Sequence, residues 1–473
     1  MTKSLAEPKP VRVGRYRYSK LRWRLLVHAL DFCGAILMVI VRAIRPAQRT
    51  QSPRRILLVQ LDHLGDAVLS TPLIAALRAA YPEAAIDVLA SPSNHEVFEA
   101  DPEINQVKVA SRTWFERRPD RWGLATAVWD LGWSLRGVGY DLGIDVRGDV
   151  LSVLVLALAG IPRRLGWAMG GGAFLLTDVA PWIPRRHEVR SRLALLERLG
   201  IVPDELTRVD VHVRDQDRIA VAHRLAEAWP RRSVRRSESL AAAVPRARVG
   251  DRRETRLPST LGGMGELPAS GRGLEGRAAP IDSIDSIAAD ADYLHADRFT
   301  SRPPLLAVHL GAGNAAKRWP TGSWRLLIEQ FIVSGWRIVV VGGIEDTHLS
   351  RVLEPHDRLR DWTGSLTVTQ TTALLERADL FIGSDSGPAH LAASTGTLSV
   401  ILFSGTNQPA QWRPWSRHSL VLRHRVSCQP CHQKVCPLAN HPCMSGLSPD
   451  RVYRGAMRLW SRTHQAESPH SPM

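Results

Sequence analysis

A strand, a turn of small residues and a helix follow one another in Asp379-Leu380-Phe381-Ile382-Gly383-Ser384-Asp385-Ser386-Gly387-Pro388-Ala389-His390-Leu391. Such a turn is built to hold an anion. Glycine and serine let backbone N–H groups approach a ligand closely, and Pro388 suits a first-turn position whose N–H has no partner anyway. The positive dipole end of the following helix adds to the attraction, so phosphate is the natural occupant. Asp385 would be repelled by phosphate itself and is expected to grip hydroxyls beside it. Phosphate and hydroxyls together suggest a sugar nucleotide.

Two further residues could complete a reaction. Lys317 follows the apolar run Leu305–Leu310 and the glycine turn Gly311-Ala312-Gly313. An ammonium on a loop beyond a strand can neutralise a departing diphosphate; a solvated surface lysine is the ordinary alternative. Asp66 closes the turn His63-Leu64-Gly65-Asp66 after the run Arg55–Leu61. It could cap a helix, or act as general base on an acceptor hydroxyl. Gly311-Ala312-Gly313-Asn314-Ala315-Ala316 formally matches a dinucleotide fingerprint, but Pro320 interrupts the helix that should bind the pyrophosphate. No acid stands at the required distance beyond the next strand. A nicotinamide or flavin enzyme is therefore set aside, while Gly311 and Gly313 are retained as donor-binding candidates.

The elements around these residues alternate between strand and helix. The apolar runs 55–61, 85–90, 107–109 and 140–146, then 305–310, 337–341, 379–382 and 398–403, read as buried parallel strands separated by helical stretches. The expected fold class is α/β, two Rossmann-like doubly wound domains facing a cleft, at 54–229 and 303–455. Between them, 230–302 is rich in Ser, Arg, Gly and Pro without a sustained period, and is expected to be a disordered linker or insertion. Residues 456–473 are expected to form a tail.

The charge is uneven. Of a formal +16, residues 1–55 contribute +11, thirteen Lys/Arg against Glu7 and Asp31. Without a recognition helix, an RNA-binding sheet motif or a finger, this excess does not point to nucleic acid. Residues 1–53 instead form a basic N-terminal extension, whose apolar run Leu25–Val41 carries His28 and Asp31 on one side. An amphipathic helix lying on an anionic membrane surface is expected. The alternatives are a helix docked on the protein's own surface and a spanning helix. Near the other end, Cys428, Cys431, Cys436 and Cys443 could close round a structural zinc. Buried free thiols and two local disulfides are the other readings.

Leu64-Gly65-Asp66, Lys317-Arg318-Trp319-Pro320, Gly342-Gly343 followed by Glu345, and Gly383–Leu391 occur in an order that resembles glycosyltransferase family 9. These are the ADP-heptose:lipopolysaccharide heptosyltransferases, and the resemblance covers roughly 54–200 and 303–455. It implies a GT-B fold and an inverting transfer with no metal or other cofactor, from an ADP-sugar donor to a lipid-linked saccharide. Carried over by position, Asp66 is the catalytic base and Lys317 contacts the donor phosphates. Asp385 holds the sugar, Ser386 and Gly387 form the pyrophosphate turn, and Glu345 takes the ribose, with Asp346 as the alternative alignment. His390 packs or hydrogen-bonds in the donor-site helix. The insertion, the basic N-terminus and Phe403-Ser404-Gly405-Thr406 depart from the family pattern. The enzyme is expected at the cytoplasmic face of the membrane; a non-catalytic ADP-sugar sensor and a sugar-nucleotide epimerase are the rival classes.

Overall fold

Apolar runs too short and too continuous for helices pair side by side as all-parallel strands, which must be covered on both faces. The computed structural model describes residues 21–44, 52–111, 121–204, 207–230 and 302–466. All of the expected linker, 230–302, except its two end residues lies outside the described residues. The first sheet contains β1 (Arg55–Gln60), β2 (Ala85–Ala90), β3 (Gln106–Val109), β4 (Leu142–Asp145), β5 (Arg163–Trp167) and β6 (Asp178–Ala180), in the order β3-β2-β1-β4-β5-β6. The second contains β7 (Leu305–His309), β8 (Arg337–Val341), β9 (Leu359–Asp361), β10 (Leu380–Ser384), β11 (Ser399–Phe403) and β12 (Ser419–Arg423), in the order β12-β11-β10-β7-β8-β9.

Each sheet thus repeats one doubly wound plan, its order reversing between the first and fourth strands. The result is the two-sheet GT-B arrangement. Ligands bind such sheets at the carboxyl ends beside the reversal, which lies between β1 and β4 in one half and between β7 and β10 in the other. The sequence reading found the strands nearest those points and missed β5, β6, β9 and β12. The missed strands lie towards the sheet edges. Arg163, Arg164, Arg360 and Arg423 interrupt three of them, so they lack the continuous apolar character of doubly covered strands.

The two halves are not separated by an open gap along their whole length. One buried apolar cluster runs from Ile56, Leu58 and Leu73 through to Ala389, Leu391 and Phe403. Within it the helix Leu64–Val68 packs against the helix Gly387–Ser394. The helix Asp215–Ala228, at the end of the first expected domain, packs on the helix Val368–Arg377 of the second. Arg218 grips Glu376 there through two 2.9 Å bonds.

The C-terminal end of the described chain differs from expectation, and the N-terminal end is the expected helix. The last helix runs from Pro449 to Ala466 and packs on the helix Thr321–Val333 and on β11 and β12, with Val452 and Ala456 buried. Residues 456–466 are therefore part of the second half, because that helix supplies one cover of its sheet. At the other end the helix Leu21–Ile44 is docked by one side. Asp31 Oδ1 accepts a 2.7 Å bond from the Gly172 N–H, Val27 fills the space that a side chain at Gly171 would take, and Gly34 lies against Phe174. Leu25, Phe32 and Ile36, spaced by seven and four residues, share the opposite side and are 62%, 66% and 53% exposed. Among the described residues no helix is long and apolar enough to cross a membrane.

Candidate active site

The loops at the carboxyl ends of β7, β8, β10 and β11 converge, because parallel strands end on the same side of their sheet. Lys317, reached from β7, places Nζ 2.7 Å from Asp385 Oδ2, and donates to the Asp385 carbonyl at 3.2 Å. Asn407, reached from β11, donates to Asp385 Oδ2 at 2.8 Å. The two donor-site residues singled out as separate functions are thus a pair, with Asp385 only 4% exposed. A buried carboxylate needs such partners, since an isolated charge in that position would be costly.

Asp66 lies in the short helix Leu64–Val68 and not at its N-cap, which is His63. The capping role considered for it is not the one it plays. Arg192, 4% exposed, donates through Nη2 to Asp66 Oδ1 at 2.7 Å and through Nη1 to Glu188 Oε2 at 2.9 Å. Gln411, from the other half, donates to Glu188 Oε1 at 2.7 Å. His187 completes this seam: it accepts from the Val189 N–H through Nδ1, so its Nε2–H donates to the Arg413 carbonyl. Burial pushes the His187 pKa down to about 3, which keeps the ring neutral and that tautomer fixed. On the same side of the first sheet, Arg147 pairs with Asp62 across the gap between β1 and β4.

His390 joins the two sets. A side-chain carbon at Gly65 would come within 2.8 Å of its ring, and one at Gly387 within 2.7 Å of Leu64. Glycine at both positions lets the loop bearing Asp66 close directly onto the turn bearing Asp385 and Ser386. Burial lowers the His390 pKa to about 4; Asp385 and Asp66 act to raise it, and Lys317 and Arg192 to lower it. Four charged groups from both halves therefore surround one neutral imidazole, whose Nδ1 has no hydrogen-bond partner among the described residues.

The remaining candidates divide. Ser386 and Gly387 start the helix Gly387–Ser394 as expected, with Ser386 at the N-cap. Gly313 is exposed, with open space where a side chain would go. Gly311 is glycine for a reason other than close ligand approach: a side chain there would collide with the Asp346 carboxylate, 2.2 Å away. Glu345 is exposed and folds back over Gly343, whereas Asp346 is 8% exposed and bonded to His309.

The four cysteines line one pocket of about 320 Å³ together with Ala316, Thr406 and His441. All are free thiols, so the two local disulfides are not formed. Among the described residues no group of three or more His, Cys, Asp or Glu side chains is placed to hold a metal ion. The thiols sit along the pocket wall, and burial, with the neighbouring cysteines, raises the Cys443 pKa. The segment braces the site by its backbone. Ala316 N–H donates to the Lys434 carbonyl at 3.0 Å, and Cys431 N–H to the Gly405 carbonyl at 2.9 Å.

Arg192, Glu188, Gln411, Asn407 and His309 were not found from sequence. Only His309 carried a usable signal, as a polar residue closing an apolar strand at the carboxyl end.

The family model for glycosyltransferase family 9 (heptosyltransferase) matches residues 280–441. The chain is 29% identical over 167 residues to lipooligosaccharide heptosyltransferase 2 of Campylobacter jejuni subsp. jejuni serotype O:2, a match covering 34% of this chain and 52% of that one. It spans only about half of that relative's length. It is 24% identical over 410 residues to lipopolysaccharide heptosyltransferase 2 of Escherichia coli K12, covering 84% and 96% respectively. The solved structure of E. coli ADP-heptose lps heptosyltransferase II superposes with a TM-score of 0.60 at 20% identity, over 87% of this chain and 99% of that one. A family 9 glycosyl transferase from Veillonella parvula DSM 2008 gives 0.61 at 18%, over 88% and 99%.

Proposed function

We propose, from the premise that this chain belongs to glycosyltransferase family 9, that it transfers a heptose or a related sugar from an ADP-sugar to a lipid-linked saccharide. The setting is lipopolysaccharide core or surface-glycan synthesis. The observation that carries this reading is the direct packing of the Asp66 loop on the Asp385–Gly387 turn, with His390 between them. A base from one half and a donor-holding turn from the other meet at one point.

In the proposed reaction Asp66 takes the proton from an acceptor hydroxyl as its oxygen attacks the anomeric carbon. The bond from that carbon to the β-phosphate oxygen breaks, and its electron pair leaves with ADP. Lys317 and the N–H groups at Ser386 and Gly387 stabilise the departing diphosphate. Attack opposite the leaving group in one displacement inverts the anomeric centre. Asp385, held by Lys317 and Asn407, is placed to accept hydrogen bonds from sugar hydroxyls, and Glu345 is assigned the ribose. None of these steps calls on a metal.

A thermal-shift screen of nucleotide sugars tests the donor class. An ADP-sugar at 100 times its Kd is expected to stabilise the fold by about 2.7 kcal/mol, with UDP- and GDP-sugars giving far less. Equal stabilisation by all three, or by none, would refute the assignment.

We also assign the protein to the cytoplasmic face of the membrane, held peripherally by its N-terminal segment. The outward stripe Leu25, Phe32 and Ile36, flanked in sequence by the basic excess of residues 1–55, supports attachment to anionic lipid. Deleting residues 1–44 is expected to release the protein from anionic vesicles in a sedimentation assay. Undiminished binding of the truncated chain would refute that attachment.

A further inference from the structure

The loops at the carboxyl ends of β7, β8 and β10 carry a buried hydrogen-bonded chain that the proposed mechanism does not use. His309, the last residue of β7, places Nε2 3.2 Å from Asp346 Oδ2 and Nδ1 3.0 Å from Ser386 Oγ. His309 and Asp346 are only 4% and 8% exposed. Burial works against the charge on Asp346, but the His309 hydrogen bond and charge, the Gly343 N–H and Arg318 together hold its carboxyl below the usual carboxylate range. An ionised carboxylate only accepts, so His309 Nε2 carries the proton and donates to it. The other ring nitrogen is thereby aimed at Ser386.

Ser386 is the N-cap of the helix Gly387–Ser394, where a serine oxygen ordinarily accepts a bond from the first-turn N–H groups. Here it makes no such bond. Its hydroxyl lies instead against His309 and Ser384, both at strand ends: Nδ1, 3.0 Å away, and the Ser384 carbonyl, at 3.1 Å, are the two acceptors for its one proton. A serine oxygen turned towards the helix would set its lone pairs over the positive end that an entering diphosphate needs. The side chain at the N-cap is drawn off the helix start. Gly311 belongs to the same construction, since any side chain there would displace the Asp346 carboxylate.

We propose that His309, oriented by Asp346, is a positioning residue of the donor site that holds the Ser386 hydroxyl off the helix start and leaves it to the donor's diphosphate. This rests on the ADP-sugar reading above.

Calorimetry with ADP separates this role from simple packing. Asparagine at 309 puts its amide where Nδ1 stands and can still hold Ser386; glutamine reaches the place of Nε2 and can hold only Asp346. His309→Asn is therefore expected to bind ADP within about threefold of wild type, and His309→Gln about tenfold more weakly. Adding Ser386→Gly to His309→Gln removes the misplaced oxygen and should return affinity to within about threefold of Ser386→Gly alone. If His309 served only to satisfy buried Asp346, glutamine would be the better substitute and the double variant would recover nothing; either result overturns the proposal. Wild-type protein that binds no ADP would refute the donor class itself, and the positioning role with it.

Discussion

Asp66→Asn is expected to lower turnover by about two orders of magnitude or more while leaving ADP affinity nearly unchanged. Asparagine is the informative replacement because it keeps an oxygen for Arg192, which donates to Asp66 Oδ1 at 2.7 Å. Alanine would take from the buried Arg192 guanidinium one of its two carboxylate partners, leaving Glu188, and is expected to destabilise the fold. A loss seen with alanine could then be a loss of folding. Asparagine keeps an acceptor oxygen for Arg192 and removes the charge together with the ability to take a proton. Arg192 occupies one carboxylate oxygen, leaving Oδ2 as the atom assigned to the acceptor hydroxyl. Turnover measured as ADP release, beside ADP titration of the same preparation, separates chemistry from binding. A variant with ordinary turnover would remove Asp66 from the base role.

Lys317→Ala is expected to weaken ADP binding by about ten- to a hundredfold, since hydrogen bonds to charged groups contribute about 1.5–3 kcal/mol. It should also slow transfer at saturating donor, because the same ammonium faces the charge that develops on the leaving diphosphate. The pairing of Lys317 with Asp385 at 2.7 Å sharpens this expectation. The lysine is already committed to the donor turn, and its removal leaves Asp385 buried with Asn407 as its remaining side-chain hydrogen-bond partner among the described residues. Sugar and phosphate recognition should consequently fail together. Unchanged ADP affinity in calorimetry would undo the placement of the site.

The Arg192 contact also explains why Asp66 could be singled out in the sequence while its setting could not. Asp66 follows a buried strand and a glycine turn, signals that lie within a dozen residues. Arg192 stands 126 positions further on, in the helix Glu188–Leu196, with nothing in its own neighbourhood to mark it. Gln411 reaches the same group from 223 positions beyond Glu188. Contacts of that separation follow from how two sheets pack, and side-chain type alone does not encode them. Asp346 is an intermediate case. It competed with Glu345 for one role, and the fold gave it another by placing β7 beside β8, in register from Leu305 opposite Arg337 to His309 opposite Val341.

By itself the sequence determined the central strands of both sheets and the strand–turn–helix at Ser384–Gly387, and it marked Asp66, Lys317 and Asp385 as candidates. These depend on short-range physics: an apolar run that must be buried on both faces, glycine where backbone must approach closely, an uncovered helix start. The tertiary structure alone decided that Lys317 and Asp385 form one pair, that Arg192, Glu188 and Gln411 form a chain leading from Asp66, and that the Ser386 hydroxyl lies against His309 and makes no cap bond. Each of these joins loops that meet only because parallel strands deliver their carboxyl ends to the same edge, and because glycine at 65 and 387 lets the two halves touch there.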